Sequence, residues 1–271
     1  MSRIAVIWTF DKAKQIFPYW RDGLKAAIEE LGKTHDVEYY LGEDYKNLDE
    51  KYDAYLIWGD SQERTIDFFK DKEGRKGLIL TTSPTDIENL KKYDIVFCES
   101  RPVYEEARMH GIHAVHAFGT DTDFFSPDDT EKDILYFYPA TFSPWKRQSA
   151  IADYGQLLYC VGTVQPDGQQ ELQACLDKGV HVAQGYFKAE YIRDLYRRAK
   201  NVPIPAIHGS ERTIVEAMSM DLFPLVNPEN KAHAIIDKFK GTELISPREF
   251  VLKNYSHRLY AEKIEKGLLH D

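Results

Sequence analysis

Residues 208–226 read HGSERTIVEAMSMDLFPLV, a Gly-Ser turn running into a helix that carries a carboxylate among small and apolar neighbours. Ile214, Val215, Ala217 and Met218 follow helical spacing, and Leu222 to Val226 reads as a buried strand, so Glu216 belongs to a helix packed on a sheet. Ser210 is placed to cap that helix. The unpaired N–H groups around Gly209 and Ser210, aided by the helix dipole, suit an anion such as phosphate. Glu216, one to two turns further on, can accept hydrogen bonds from paired hydroxyls such as those of a ribose. Taken alone, a solvated helix residue is the plainer assignment for it, since Glu is seldom buried. A second candidate is Ala140 to Arg147, ATFSPWKR, in which Lys146 and Arg147 follow a strand and an aromatic-Pro turn. Elsewhere on the chain such a pair reads as surface charge; after a strand end it stands where α/β proteins place their sites.

These residues need elements to hold them, and short apolar runs alternate with amphipathic stretches from end to end, the signature of βαβ units and parallel sheets. Strands are expected at 4–8, 37–41, 54–58, 77–81, 95–98 and 114–118, then at 134–138, 157–161, 181–183, 202–207 and 222–226. Helices are expected at 19–31, 105–110, 169–177, 189–200, 213–220 and 256–269. The polar segment Pro127-Asp128-Asp129 reads as a linker between two Rossmann-like α/β domains, residues 1–126 and 127–271, facing a central cleft.

Composition narrows the class. The 271 residues are 43% hydrophobic and 29% charged, with 35 basic against 44 acidic side chains and a net charge of −9, a poor footprint for non-specific nucleic-acid or anionic-membrane binding. No apolar run has the length of a membrane span or a signal-peptide core, which gives a cytoplasmic expectation. Cys98, Cys160 and Cys175 lack a Cys-x-x-Cys pair and read as packed thiols of a reducing compartment. His110, His113 and His116 cluster around one strand without an acidic partner, so a structural role outweighs a metal site.

The segment around Glu216-Ala217-Met218 resembles the carboxylate motif of the retaining nucleotide-sugar glycosyltransferases of family four, which build two Rossmann-like domains around a cleft. Aligned there, the family's second Glu is Glu216 and its first falls on His208. The resemblance implies that Glu216 holds the nucleotide's ribose and that His208 faces the donor sugar, with Glu211 close by but out of register. Gly119 to Pro127, GTDTDFFSP, is similar to the family's interdomain motif and has turn chemistry of its own: a Gly, and Asp and Thr side chains that bond the backbone. Lys146 matches the Lys that grips the donor diphosphate, Thr141 stands at the family's Arg position, and Arg147 is a candidate helper. Gly162 and Thr163, with Gly185 and Tyr186, match strand ends that in the family lie under the nucleotide and read its base. In the first domain Trp8-Thr9-Phe10-Asp11-Lys12 replaces the family's Gly-rich turn. Thr9, Lys12, Ser83 and Glu99 are candidates for the acceptor side.

The resemblance thus implies transfer of a sugar from a nucleotide diphosphate donor to a hydroxyl acceptor, with retention, without metal and without a cofactor beyond the donor. The acceptor class stays open among glycan, lipid, small molecule and, less readily, nucleic acid. An epimerase or hydrolase on the same fold is the alternative, as is a non-catalytic nucleotide or sugar binder.

Overall fold

The computed structural model describes residues 1–10, 13–48, 51–59, 65–83, 85–242 and 245–270. The chain forms two compact units, Met1–Gly119 with His257–Asp271, and Thr120–Ser256.

The first unit is built on six parallel strands, β1 (Arg3–Trp8), β2 (Asp36–Leu41), β3 (Ala54–Trp58), β4 (Arg75–Leu80), β5 (Ile95–Cys98) and β6 (Ala114–His116), in the order β2-β1-β3-β4-β5-β6. Of its central strands, β3 and β5 are apolar along their whole length, and β1 and β4 after their basic first residues, because both faces are covered. Ile4, Val6 and Trp8 enter one core, and Ala5 and Ile7 enter the other, as strand alternation requires. Its helices are α1 (Ala13–Ile16), α2 (Gly23–Leu31), α3 (Ile66–Phe69), α4 (Ile87–Leu90) and α5 (Arg101–Met109). The chain's last helix, α11 (His257–Leu269), covers the Ile4 face beside α2, burying Tyr260, Ile264 and Leu268. Gly267 makes that approach possible: a Cβ there would lie 2.6 Å from Ile95 and 2.8 Å from Phe97.

The second unit carries β7 (Ile134–Pro139), β8 (Leu158–Gly162), β9 (His181–Gln184), β10 (Ala199–Ile204) and β11 (Pro224–Val226), again all parallel, in the order β11-β10-β7-β8-β9. The helices are α6 (Gln169–Asp177), α7 (Ala189–Arg198), α8 (Glu211–Ser219), α9 (Ala234–Lys240) and α10 (Pro247–Asn254). The 119–127 motif is a structural hub here. Asp121 Oδ1 accepts from the N–H groups of Asp123 and Phe124. The Arg248 guanidinium ties the segment to α8, donating to the carbonyls of Phe125, Ser219 and Thr122 at 3.2, 2.6 and 3.1 Å.

Several boundaries differ from the sequence expectation for local reasons. The helix expected from residue 19 starts at Gly23, because Phe17–Tyr19 forms a 3₁₀ turn and Asp22 caps α2, accepting from Lys25 N–H at 2.8 Å. The helix expected from residue 105 starts at Arg101, where Ser100 caps and Pro102 occupies the first turn. The strand expected at 202–207 lies at 199–204, taking over from α7 without a loop because pairing of Ala199 and Asn201 with β7 sets its register. The final strand is shorter, since Asp221 turns with a φ of 58° and Leu222 is buried in that turn.

Candidate functional site

In the second unit, the loop after β7 is bound to the end of β8. Phe142 N–H donates to Thr163 O at 2.7 Å, Gln165 N–H to Phe142 O at 3.1 Å, and the Thr141 and Thr163 hydroxyls are 3.1 Å apart. A Cβ on Gly162 would run into the Ala140 carbonyl, and one on Gly168 into that of Phe142. Glycine at both positions lets the loop lie this close. The buried Gln148 amide donates to the carbonyls of Ala140 and Thr141 at 3.3 and 2.9 Å.

That loop fixes Lys146 from its backbone outwards. Lys146 N–H donates to Ser143 O at 2.9 Å, the Tyr138 hydroxyl donates to Lys146 O at 3.2 Å, and Ile207 N–H donates to Trp145 O at 3.0 Å. The ammonium therefore reaches the turn that precedes α8, donating to Ser210 Oγ at 2.9 Å and to His208 O at 3.4 Å. Gly209 and Ser210 both adopt left-handed backbone, with φ of 62° and 80°. Asn230 braces the turn, its amide donating to Ala206 O and Gly209 O at 3.0 and 2.9 Å while its Oδ1 accepts from Ala232 N–H. Ser210 occupies the N-cap position but its hydroxyl caps nothing, which corrects the sequence expectation. Its oxygen is committed to Lys146, and its left-handed φ departs from the extended backbone of a capping residue.

Burial lowers the pKa of Lys146, a trend the Glu211 carboxylate opposes. Burial also raises the Glu211 carboxyl, against its own backbone N–H and the Lys146 charge. The two side chains flank Gly209 and form no ion pair among the described residues. A desolvated ammonium beside a helix N-terminus is a place where an anion is stabilised.

Glu216 lies further along α8, 5% exposed. Its Oε1 accepts from Arg212 Nε at 2.7 Å and its Oε2 from the Tyr196 hydroxyl at 3.3 Å. Gly162 and Gly185 meet at adjacent strand ends through Gly185 N–H to Gly162 O at 3.0 Å, and Tyr186 beside them is exposed. His208 is exposed, and Arg147 sits in left-handed backbone with no hydrogen bond from its guanidinium to the 208–210 turn among the described residues. The structure thus gathers Lys146, His208, Gly209, Ser210 and Glu211, places Thr163 against Thr141, and sets Glu216 in a separate buried network.

In the first unit Thr9, Ser83 and Glu99 come after the C-terminal ends of β1, β4 and β5. Thr9 is buried, Ser83 exposed, and Glu99 accepts from the Tyr260 hydroxyl at 3.1 Å. Lys12 lies outside the described residues. Asn230, Tyr138, Gln148 and Arg212 escaped the sequence reading. Asn230 alone carried a local signal, the turn chemistry of Asn227-Pro228-Glu229-Asn230 after a strand. Among the described residues no group of three or more His, Cys, Asp or Glu is arranged to hold a metal, and no helix is long and apolar enough to cross a membrane.

No protein-family profile matches the chain, and no curated protein matches it by sequence. Solved structures do. AviGT4, a glycosyltransferase involved in avilamycin A biosynthesis, aligns with a TM-score of 0.68 at 14% identity, covering 98% of this chain and 97% of its own. Trehalose-6-phosphate synthase, in a structure addressing glycosyl transfer with retention, aligns with a TM-score of 0.63 at 8% identity over 99% of both chains. A Listeria monocytogenes protein designated a UDP-N-acetylglucosamine 2-epimerase aligns at 0.56 and 13% identity, over 97% of this chain and 94% of its own. At such identities the likeness speaks for fold alone. The chain has the two-Rossmann-domain fold of these proteins.

Proposed function

We propose that the protein is a glycosyltransferase that moves a sugar from a nucleotide diphosphate sugar to a hydroxyl acceptor with retention of anomeric configuration. The observation that carries this is Lys146, an ammonium partly withdrawn from water and aimed at the Gly209-Ser210 turn at the start of α8. A diphosphate bound there would meet the ammonium and the backbone N–H groups of the helix start. Charge grows on that diphosphate as the sugar C1–O bond breaks, so both donors act most strongly in the transition state. The acceptor oxygen then bonds C1 on the same face, and its proton passes to the leaving phosphate oxygen. Glu216 would take the ribose hydroxyls, with Arg212 and Tyr196 holding the carboxylate in place. Gly162, Thr163, Gly185 and Tyr186 would line the nucleotide, His208 would face the donor sugar, and Arg147 would add charge. Acceptor roles fall to Thr9, Lys12, Ser83 and Glu99.

The fold likeness to an epimerase supplies a second reading, isomerisation of the donor sugar without an acceptor. Chromatography of nucleotide sugars incubated with the protein separates the two. Release of nucleoside diphosphate together with a glycosylated acceptor supports transfer; conversion of donor into an isomeric nucleotide sugar, with no acceptor needed, replaces it with epimerisation.

A further inference from the structure

His113 and His116, two of the three histidines around β6 and unused by the proposed reaction, lie at a groove in the first unit. It has a volume of about 430 Å³ and runs between α5 and β6, the outermost strand of its sheet, lined by Arg101, Tyr104, Arg108, His113 and His116. Arg101, Tyr104 and Arg108 are spaced i, i+3, i+7 and so share one face of α5. The helix rise sets the two guanidinium stems about 10 Å apart, too far for one small anion and suited to successive anionic groups of one chain. Glu105 accepts from Arg101 Nε at 2.8 Å, while Arg108 is exposed and forms no ion pair among the described residues. This concentration of positive charge runs against the −9 of the whole chain.

The other polar groups narrow the ligand. His113 Nδ1 lies 2.8 Å from Asp94 O, and a carbonyl only accepts, so that nitrogen carries the hydrogen and Nε2 of the neutral ring is an acceptor. Tyr104 brings a hydroxyl. An added peptide strand is disfavoured because β6 has three residues and Lys263 already engages its last carbonyl. Single-stranded nucleic acid is disfavoured because Tyr104, the tyrosine lining the groove, is half-buried and lies 6.3 Å from the His116 ring, leaving no platform for bases. Cations at intervals with acceptors and a hydroxyl between them suit a chain that bears both anionic groups and hydroxyls.

We infer that this groove binds an acidic oligosaccharide, a sugar chain carrying carboxylates, as the acceptor of the proposed transfer. Arg101 comes directly after Glu99 and Ser100, so a chain in the groove leads towards the C-terminal strand ends of the same unit. Only the acceptor role rests on the transferase reading; the binding does not.

Calorimetric titration with an oligogalacturonate, a neutral maltooligosaccharide of equal length and an oligothymidylate tests it, with UDP, GDP and ADP each titrated into the same samples. The oligogalacturonate is expected to bind, at least about tenfold more tightly than the other two, and Arg108→Glu is expected to weaken it about tenfold or more through charge reversal. His113→Gln, which keeps a polar side chain, is expected to weaken it less. No oligogalacturonate binding, equal binding of the neutral chain, tighter binding of oligothymidylate, or unchanged affinity in Arg108→Glu each overturns the inference. Failure of all three nucleotides to bind the wild-type protein instead strikes the transferase reading and leaves the groove result standing by itself.

Discussion

Lys146 and Glu211 are two oppositely charged groups drawn partly out of water on either side of Gly209, and their titration gives the residue scale its sharpest expectations. Burial lowers the Lys146 pKa from 10.5, so between the lowered value and 10.5 the unfolded chain binds more protons and stability rises with pH. Any activity that needs the ammonium accordingly falls on the alkaline side before an ordinary lysine would titrate. Glu211 runs the other way. Its carboxyl is raised from 4.5, so its stabilising contribution is present below 4.5 and is lost as pH rises through the folded value. Thermal melts across about pH 4 to 7 should therefore show a shallower loss of stability in Glu211→Gln than in the wild type. At Glu216 the expectation is packing and binding together. Glu216→Ala removes the acceptor of the buried Tyr196 hydroxyl, a loss of about 1–3 kcal/mol in denaturant titration, whereas Glu216→Gln keeps an acceptor and should lose nucleotide affinity with little loss of stability.

At the scale of elements, the 119–127 segment depends on one side chain far along the chain. Replacing Arg248 with Met leaves three carbonyls without their cationic donor, and the expected destabilisation is about 2–4 kcal/mol, read as a lower denaturant midpoint at unchanged slope. Much of the element order could be read in the sequence. The strands Ala54–Trp58 and Ile95–Cys98 and the helix Gln169–Asp177 fall at their expected residues, because each is a strongly patterned run between polar or turn-forming neighbours. The β10 start could not be read, since Ala199 and Lys200 continue the helical pattern and only pairing with β7 turns them into strand. The site was legible as residue types and illegible as contacts. Lys146 and Ser210 are 64 residues apart, and nothing local says that the ammonium takes the hydroxyl expected to cap α8. Asn230 likewise looks like a turn residue until its amide is seen on the Gly209 carbonyl.

At the scale of the whole molecule, the last helix of the sequence belongs to the unit that the first strands build. Tyr260, Ile264 and Leu268 are at most 1% exposed. Burial of each is worth about 1.5–3 kcal/mol, which together approaches the stability of a typical domain. A chain ending at Ser256 should therefore lose cooperative unfolding of the first unit, seen as a missing or broadened transition by circular dichroism. Nucleotide should act on the second unit, where an occupied site stabilises the native state by about 2.7 kcal/mol at a hundredfold excess over Kd. The most direct measurement is calorimetric titration of UDP, GDP and ADP into the wild-type protein and into Lys146→Ala. One of the three is expected to bind the wild type, with the affinity at least about tenfold lower in the variant, as loss of a charge-assisted partner of the diphosphate requires. Binding of none of them to the wild type, or equal binding to both proteins, contradicts a nucleotide diphosphate site built on Lys146.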